Sequence, residues 1–206
     1  MVNWFIKGGI FMWPILIGSI WALALALERF WYYTSMGKKI EAKASSAFRV
    51  CQEKGIQQAA QSLAGDTNIM SEILLAAWDK EHKAISIAER SVEEVLHHHK
   101  PELEQYLSSL ATLSSIQPLL GLLGTITGMI ATFHVIAAQG TGNPQSMADG
   151  IAEAMITTQA GLCCALPTLL AHNFLRSKLK NILSLLQKYS ARALKEVEKN
   201  HLLGTH

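Results

Sequence analysis

The segment Pro118-Leu-Leu-Gly-Leu-Leu-Gly-Thr-Ile-Thr-Gly-Met-Ile-Ala-Thr-Phe133 decides the fold of this 206-residue chain. It lies within Gln105–Ala148, a stretch that contains no Asp, Glu, Lys or Arg. A membrane-spanning helix needs about 20 mainly apolar residues, and this stretch exceeds that length. Small residues recur in it at helical steps and therefore share one face: Gly121, Thr125, Gly128 and Thr132. Such a face lets another backbone approach closely, so we expect it to pack against neighbouring helices.

Two further uncharged segments, Gly8–Leu27 and Ala154–Leu175, are also long enough to span a membrane. Aromatic residues flank the first segment as interfacial belts do, with Trp13 near one end and Trp31 near the other. A cleaved signal peptide is the alternative for this segment, because its alternating Ala and Leu residues offer cleavage sites. The thin basic leader favours a retained span.

The basic residues indicate the orientation of the three spans. Lys and Arg number 18, and all of them except Lys7 fall in Arg29–Lys100 and Arg176–Lys199. The positive-inside rule places both basic regions in the cytoplasm, with the amino terminus outside. The three cysteines are too few and too scattered for a disulfide framework, so we expect reduced thiols: Cys51, Cys163 and Cys164.

These patterns predict an all-α integral membrane protein with three transmembrane helices, of which spans two and three extend into a helical cytoplasmic region. We expect six parts: residues 1–33 as outer terminus and first span, 34–105 as cytoplasmic helical region, 106–138 as second span, 139–149 as short outer loop, 150–175 as third span and 176–206 as cytoplasmic C-terminal helix. Helical periodicity in the cytoplasmic region covers Lys38–Lys54, Ile69–Lys80 and Ala84–Lys100. Pro101 suits the first turn of the helix that follows.

The third span carries the residue with most chemical interest. Glu153 is the only charged residue between Ala152 and Leu175, and a charge inside a membrane costs ~3 kcal/mol or more, which favours a functional role. The alternative is a carboxylate at the outer end of the span, favoured there by water and the helix N-terminus. Thr157 lies one turn from Glu153 on the same face, whereas Thr158 points about 140° away, so the two hydroxyls serve different interfaces. Pro167 would bend the helix unless neighbours satisfy the freed carbonyl.

Other chemistry is sparse in the sequence. It offers no nucleophile–base pair, redox motif, phosphate-binding loop or zinc-ligand spacing, which argues against an enzyme and against a cofactor. His97-His98-His99 cannot converge on one ion from a helix, because consecutive residues point about 100° apart. We expect a solvated histidine run there, and packed or interfacial roles for His134 and His172.

Three motifs in order resemble the MotA/TolQ/ExbB proton channel family, ExbB proteins most closely and TolQ proteins next. They are Gly8-Gly-Ile-Phe-Met-Trp-Pro14 with Ala26-Leu-Glu-Arg-Phe30, then Pro118 to Met129, then Gly150-Ile-Ala-Glu-Ala-Met-Ile-Thr-Thr-Gln-Ala-Gly-Leu162 with Ala165-Leu-Pro167. Together they cover about half of the chain. The Gly-Gly-x-x-Met-Trp-Pro opening leans towards ExbB. The third span is more polar than the family pattern, which could change the hydration of a pore.

The resemblance implies a bacterial inner-membrane ring, apparently of five copies, around the helices of a small partner such as ExbD or TolR. Proton flow through such a ring drives a third protein, TonB or TolA. The family's membrane glutamate falls on Glu153, and its pore-facing threonines fall on Thr125 and Thr158. The threonine faces that also include Thr132 and Thr157 would line the chamber of the partner. Helix packing would fall to Gly121, Gly124, Gly128, Gly161 and Pro167.

Three other functions remain open. A MotA-like flagellar stator normally has four spans and a larger cytoplasmic part. A non-conducting membrane scaffold would use the glycine and threonine faces for packing only, and its function would not depend on the charge of Glu153. A solute transporter is disfavoured, since three spans show no internal inverted repeat.

Overall fold

The structure, a computed structural model, describes residues 8–79, 85–140 and 144–203. These residues form six α-helices: α1 (Met12–Lys54), α2 (Ile56–Leu63), α3 (Ile69–Ala77), α4 (Ile85–Glu104), α5 (Leu107–Gln139) and α6 (Pro144–Leu203). No strand occurs in the described ranges. Three stretches are long and apolar enough to cross a membrane: Met12–Lys54, Ile85–Ala138 and Met147–Asn200. The expectation of an all-α protein with three long apolar helices is confirmed.

The helices contribute to two units. The apolar unit comprises Met1–Arg29 and Tyr106–Leu175, and the charged unit comprises Phe30–Gln105 and Arg176–His206. Helices α1 and α6 supply residues to both units, because α1 continues beyond Arg29 and α6 continues beyond Leu175.

Helix α1 extends further than the sequence analysis anticipates. Its 43 residues run without interruption to Lys54, so the helix predicted over Lys38–Lys54 is the end of α1 rather than a separate element. An extension beyond the membrane was expected only for spans two and three. Gly37 is the only glycine that follows Gly18 within α1, and a glycine costs a helix only about 0.5–1 kcal/mol, too little to end it.

The start of α5 corrects one prediction. Pro101 lies in the last turn of α4, which ends at Glu104, so it does not begin the next helix. The break falls instead at Tyr106, whose φ of 67° is left-handed. The guanidinium carbon of the buried Arg29 lies 4.5 Å from the centre of the Tyr106 ring. This cation–π contact within the apolar unit holds Tyr106 in place at the break.

Helix α6 begins earlier than expected and is the longest element. It starts at Pro144, where a proline fits the first turn because no partner is needed for its missing N–H, and it continues for 60 residues. The helix therefore begins six positions before the expected start at residue 150. It passes through Pro167 without a break in the helix, and the Pro167 side chain is exposed.

The charged unit has a small aromatic core. The ring of Phe48 lies 5.7 Å from that of Trp78 and 6.0 Å from that of Tyr189, centre to centre. The hydroxyl of Tyr33 donates to the carbonyl oxygen of Leu103 over 2.6 Å. The expectation of a solvated histidine run is wrong for His99, whose Nε2 lies 2.6 Å from Glu72 Oε2 and whose side chain is only 18% exposed.

In the apolar unit, α5 and α6 approach closely along a face of small residues. The buried residues of this face of α5 are Gln117, Gly121, Gly124, Gly128 and Thr132. Thr125, which the spacing placed on this face, is only half-buried. A methyl group placed on Gly128 would lie 2.9 Å from the Ala154 Cβ, so the two helices meet nearly backbone to backbone.

Candidate functional site

The carboxylate of Glu153 lies against the turn that precedes α1. Glu153 is half-buried on α6, and a Cβ built on Gly9 would fall 2.9 Å from its carboxyl carbon and overlap Oε1. Gly9 has a φ of +68°, in the left-handed region that favours glycine. Glu153, the only charged residue of the expected third span, thus occupies space that the missing side chain of Gly9 leaves open.

Thr157 connects the same turn to α6. Its hydroxyl oxygen lies 2.8 Å from the carbonyl oxygen of Gly8 and 2.8 Å from that of Glu153. A hydroxyl has one proton, so Thr157 donates to one of these two carbonyls at a time. Thr157 is 1% exposed, and its Cβ would lie 2.6 Å from a Cβ on Gly124. The methyl and hydroxyl of Thr157 therefore face different neighbours, α5 and the turn.

Thr158 serves a different interface, as the helical angle predicts. Its hydroxyl donates to the carbonyl oxygen of Gly121 over 3.0 Å and so connects α6 to α5. Close by, a Cβ on Gly161 would lie 2.6 Å from the Gln117 carbonyl oxygen and 3.1 Å from the Gly121 Cα. The glycines expected to pack helices thus lie between two helices of one chain. Whether they also pack one copy against another stays a prediction.

Thr125 and Thr132 use their hydroxyls within α5. Thr125 donates to the Leu122 carbonyl over 2.6 Å, and Thr132 donates to the Gly128 carbonyl over 2.9 Å. Such bonds satisfy a hydroxyl proton where water is scarce. Thr132 is 3% exposed, and its hydroxyl would overlap a Cβ on Gly150. Of the four threonines, Thr157 contacts the backbone of Glu153, whereas Thr158 contacts α5.

A second polar contact between α5 and α6, between Gln117 and Thr168, was not predicted from the sequence. Gln117 is 1% exposed, and the Thr168 hydroxyl lies 3.4 Å from its Oε1. The Gln117 Nε2 has no hydrogen-bond partner among the described residues and lies 3.8 Å from a Cβ built on Gly18. The signal was a lone amide four residues before Gly121, on the face that packs. Buried amides of this kind fix the register of neighbouring helices.

Arg29 was expected only to mark the inner end of the first span. Its side chain is 5% exposed, and its Nε lies 2.8 Å from Glu28 Oε2. Together with the Tyr106 ring, this ion pair holds a buried cation at one end of the apolar unit. Buried arginines are found where a planar cation can be both paired and stacked.

The described residues hold no group of three or more His, Cys, Asp and Glu side chains that could bind a metal ion. The structure joins none of the three cysteines in a disulfide: Cys51, Cys163 and Cys164. His134 is exposed and His172 half-buried. Glu153, with the Gly8-Gly9 turn and Thr157 beside it, is the candidate site that the sequence and the geometry share.

Comparison with known proteins gives this site a context. Residues 64–188 match the sequence profile of the MotA/TolQ/ExbB proton channel family. The chain is 31% identical over 185 residues to a putative biopolymer transport protein, ExbB-like 1, of Synechocystis sp., and the match covers 86% of this chain and 71% of that protein.

Two shorter matches carry different names. The biopolymer transport protein ExbB of Aquifex aeolicus is 38% identical over 79 residues, which cover 38% of this chain and 53% of the relative. The Tol-Pal system protein TolQ of Haemophilus influenzae is 38% identical over 80 residues, which cover 39% of this chain and 35% of the relative.

Proposed function

This chain belongs to the MotA/TolQ/ExbB proton channel family, and we propose that it is the ring-forming subunit of an ExbB-like complex in a bacterial inner membrane. The family is a class of proton channels and not of enzymes. In this function the ring, with a small ExbD-like partner, conducts protons and converts their flow into mechanical work on a TonB-like protein. That work energises transport across the outer membrane.

The observation that carries the proposal is the position of Glu153. It is an acid at the start of the third apolar segment, and no other charged side chain follows it before Arg176. It lies half-buried beside the Gly8-Gly9 turn, and its backbone carbonyl oxygen lies 2.8 Å from the hydroxyl of Thr157. A carboxyl group that alternates between protonated and ionised forms is the chemistry that proton transfer needs.

The energy available is of the right order for such work. Moving one charge through 100 mV releases about 2.3 kcal/mol, so a few protons per step could shift a packed helix assembly. One acid per copy provides a proton acceptor but no means of alternating access. A partner helix with its own carboxylate, as in an ExbD-like or TolR-like protein, would supply that means.

A ring of copies, five by resemblance, would also cover apolar surface. Many large apolar side chains of the apolar unit are exposed, among them Trp21 at 57%, Leu119 at 61% and Leu170 at 69%. Lipid tails, neighbouring copies and the partner helix are the surroundings that such side chains require.

A cell-based assay tests the proposed function. Cells that depend on this chain should lose growth on a siderophore as sole iron source when Glu153 is changed to Gln, although the complex still assembles. Glu153→Asp, which keeps the acid but retracts it by one methylene, should retain part of the growth. Full growth of an assembled Glu153→Gln complex would contradict the proposal.

The TolQ-like function is the second candidate, and the match to the TolQ protein of Haemophilus influenzae favours it. A TolQ-like subunit would work with TolR-like and TolA-like proteins on the integrity of the outer membrane. Loss of the chain should then leave siderophore growth intact and make cells sensitive to detergent. The two assays run side by side separate the candidates.

A further inference from the structure

We propose that the Gly8-Gly9 turn is a positioning element for the carboxylate of Glu153, and that Gly9 is the residue that makes room for it. The inference rests on the proton-carrying role proposed for Glu153. It assigns the turn a role beyond leading the chain into α1, because the turn would determine where the acid is held.

The first support is the space at Gly9. A side chain there would overlap the Glu153 Oε1 and approach its carboxyl carbon to 2.9 Å. Three other glycines with positive φ have nothing within 4 Å of the position of a Cβ: Gly55, Gly65 and Gly140. Those three need glycine for backbone conformation only. Gly9 needs glycine both for its conformation and for the carboxylate beside it.

The second support is that the turn is fixed to the helix that carries Glu153. Gly8 is buried, and its carbonyl oxygen lies 2.8 Å from the hydroxyl of Thr157. The same hydroxyl lies 2.8 Å from the carbonyl oxygen of Glu153. A side chain on Gly8 would lie 3.2 Å from the Ile156 Cγ2. The turn is thus packed and hydrogen-bonded against the part of α6 that follows the acid, at Ile156 and Thr157.

A group held in this way is pre-organised for proton exchange. The carboxylate lies directly against Gly9, so a side chain at residue 9 would have to displace it. A displacement of about 1 Å of a reacting group can reduce a rate by up to about a hundredfold. The position of the acid therefore depends on a residue that carries no functional group.

The test measures proton flux through the full chain, copurified with its small membrane partner and reconstituted in liposomes that contain a pH-sensitive dye. Gly9→Ala should reduce the flux by about tenfold or more, because the added methyl displaces the carboxylate. Gly140→Ala is the matched control, since Gly140 has the same φ of +68° and open space around it. It also places a side chain at a positive φ and should leave the flux unchanged.

A rescue experiment separates positioning from damage to the fold. Glu153→Asp shortens the acid by one methylene, so in the Gly9→Ala background it should add no further loss and should restore part of the flux. If the flux loss of the double variant equals the product of the losses of the two single variants, as for independent sites, the positioning role is wrong. An unchanged flux in Gly9→Ala would also contradict it.

The same liposomes distinguish failure of this inference from failure of the proposed function. Glu153→Gln that conducts normally contradicts the proton-carrying role itself. If the Glu153→Gln variant does not conduct protons but the Gly9→Ala variant has normal flux, only the role of the turn is contradicted.

Discussion

The hydroxyl of Thr158 donates to the backbone carbonyl oxygen of Gly121 over 3.0 Å, where α5 and α6 approach each other closely. A residue that the family resemblance places along a pore therefore uses its proton inside its own subunit. The lone pairs of the Thr158 oxygen stay free to accept a hydrogen bond from water. Thr158 can thus join two helices and still accept a hydrogen bond from water.

Removing this hydroxyl should weaken the apolar unit. Thr158→Val keeps the shape of the side chain and loses one interhelical hydrogen bond, so we expect a loss of about 0.6 kcal/mol in the free energy of unfolding. Thr125→Val is the control, because the Thr125 hydroxyl donates to Leu122 of its own helix and to no other residue that the structure describes. Thermal unfolding in detergent, followed by circular dichroism, measures both. Equal melting temperatures for the two variants would contradict the interhelical role.

Gly161 should not tolerate even a methyl group. Gly161→Ala would bring its Cβ to 2.6 Å from the Gln117 carbonyl oxygen, and overpacking of this kind costs about 1–3 kcal/mol. Gly37→Ala is the matched control within a helix, since nothing lies within 4 Å of its Cβ position. It should stabilise the protein by about 0.5–1 kcal/mol through helix propensity. A Gly161→Ala protein that melts no lower than the unchanged protein would contradict the close approach.

The charged unit should show a defined pH dependence through Asp66. A hydrogen bond from Lys43, the largest cause, lowers the pKa of Asp66, and hydrogen bonds from Ser71 and the Asn68 N–H act in the same direction. Because the pKa is lower in the folded state, the stabilisation is present at neutral pH and is lost as pH falls through the folded pKa.

Lys43→Met tests this dependence. The variant should melt at a lower temperature than the unchanged protein at pH 7, and the difference should disappear as pH falls below the ordinary aspartate pKa of about 3.9. Lys38→Met, on the same helix and without an ion pair in the described part of the chain, is the control. A difference that is constant with pH would argue against the Lys43–Asp66 contact.

The orientation of the chain can be tested with single cysteines at exposed positions. Gln145, in the first turn of α6, and Ser86, in the first turn of α4, are both exposed. A membrane-impermeant maleimide applied to intact cells should label Gln145→Cys and not Ser86→Cys. Labelling of both variants in permeabilised cells serves as the control. The opposite pattern in intact cells would reverse the topology derived from the basic residues.

The sequence predicts the helical class and the three apolar helices because the thickness of a bilayer sets a minimum length for an uncharged run. It does not predict the helix ends. Helix α1 passes from apolar to charged residues at Arg29 without a break, since composition changes there while helix propensity does not. The break before α5 depends on Tyr106 in a left-handed conformation beside Arg29, which is a tertiary contact.

Some features of the candidate site could likewise be predicted from the sequence, and others could not. Glu153 could be found from sequence because an isolated charge in an apolar segment is costly. The different directions of Thr157 and Thr158 follow from helix geometry alone. The contact of Gly9 with Glu153 could not be predicted, because it joins distant parts of the chain through packing. Gln117 was missed although it precedes Gly121 by four residues on the packing face, because a single amide does not reveal its partner on another helix.

The most direct test of the account is the proton flux of the Glu153→Gln complex in liposomes, with native mass spectrometry of the same preparation as the measure of assembly. Gln keeps the size and hydrogen bonding of Glu but cannot exchange a proton. We expect an oligomer identical to that of the unchanged protein and a flux no higher than that of liposomes without protein. An identical oligomer with full proton flux would contradict the proton-carrying role, and Glu153 would then be only a carboxylate that caps a helix.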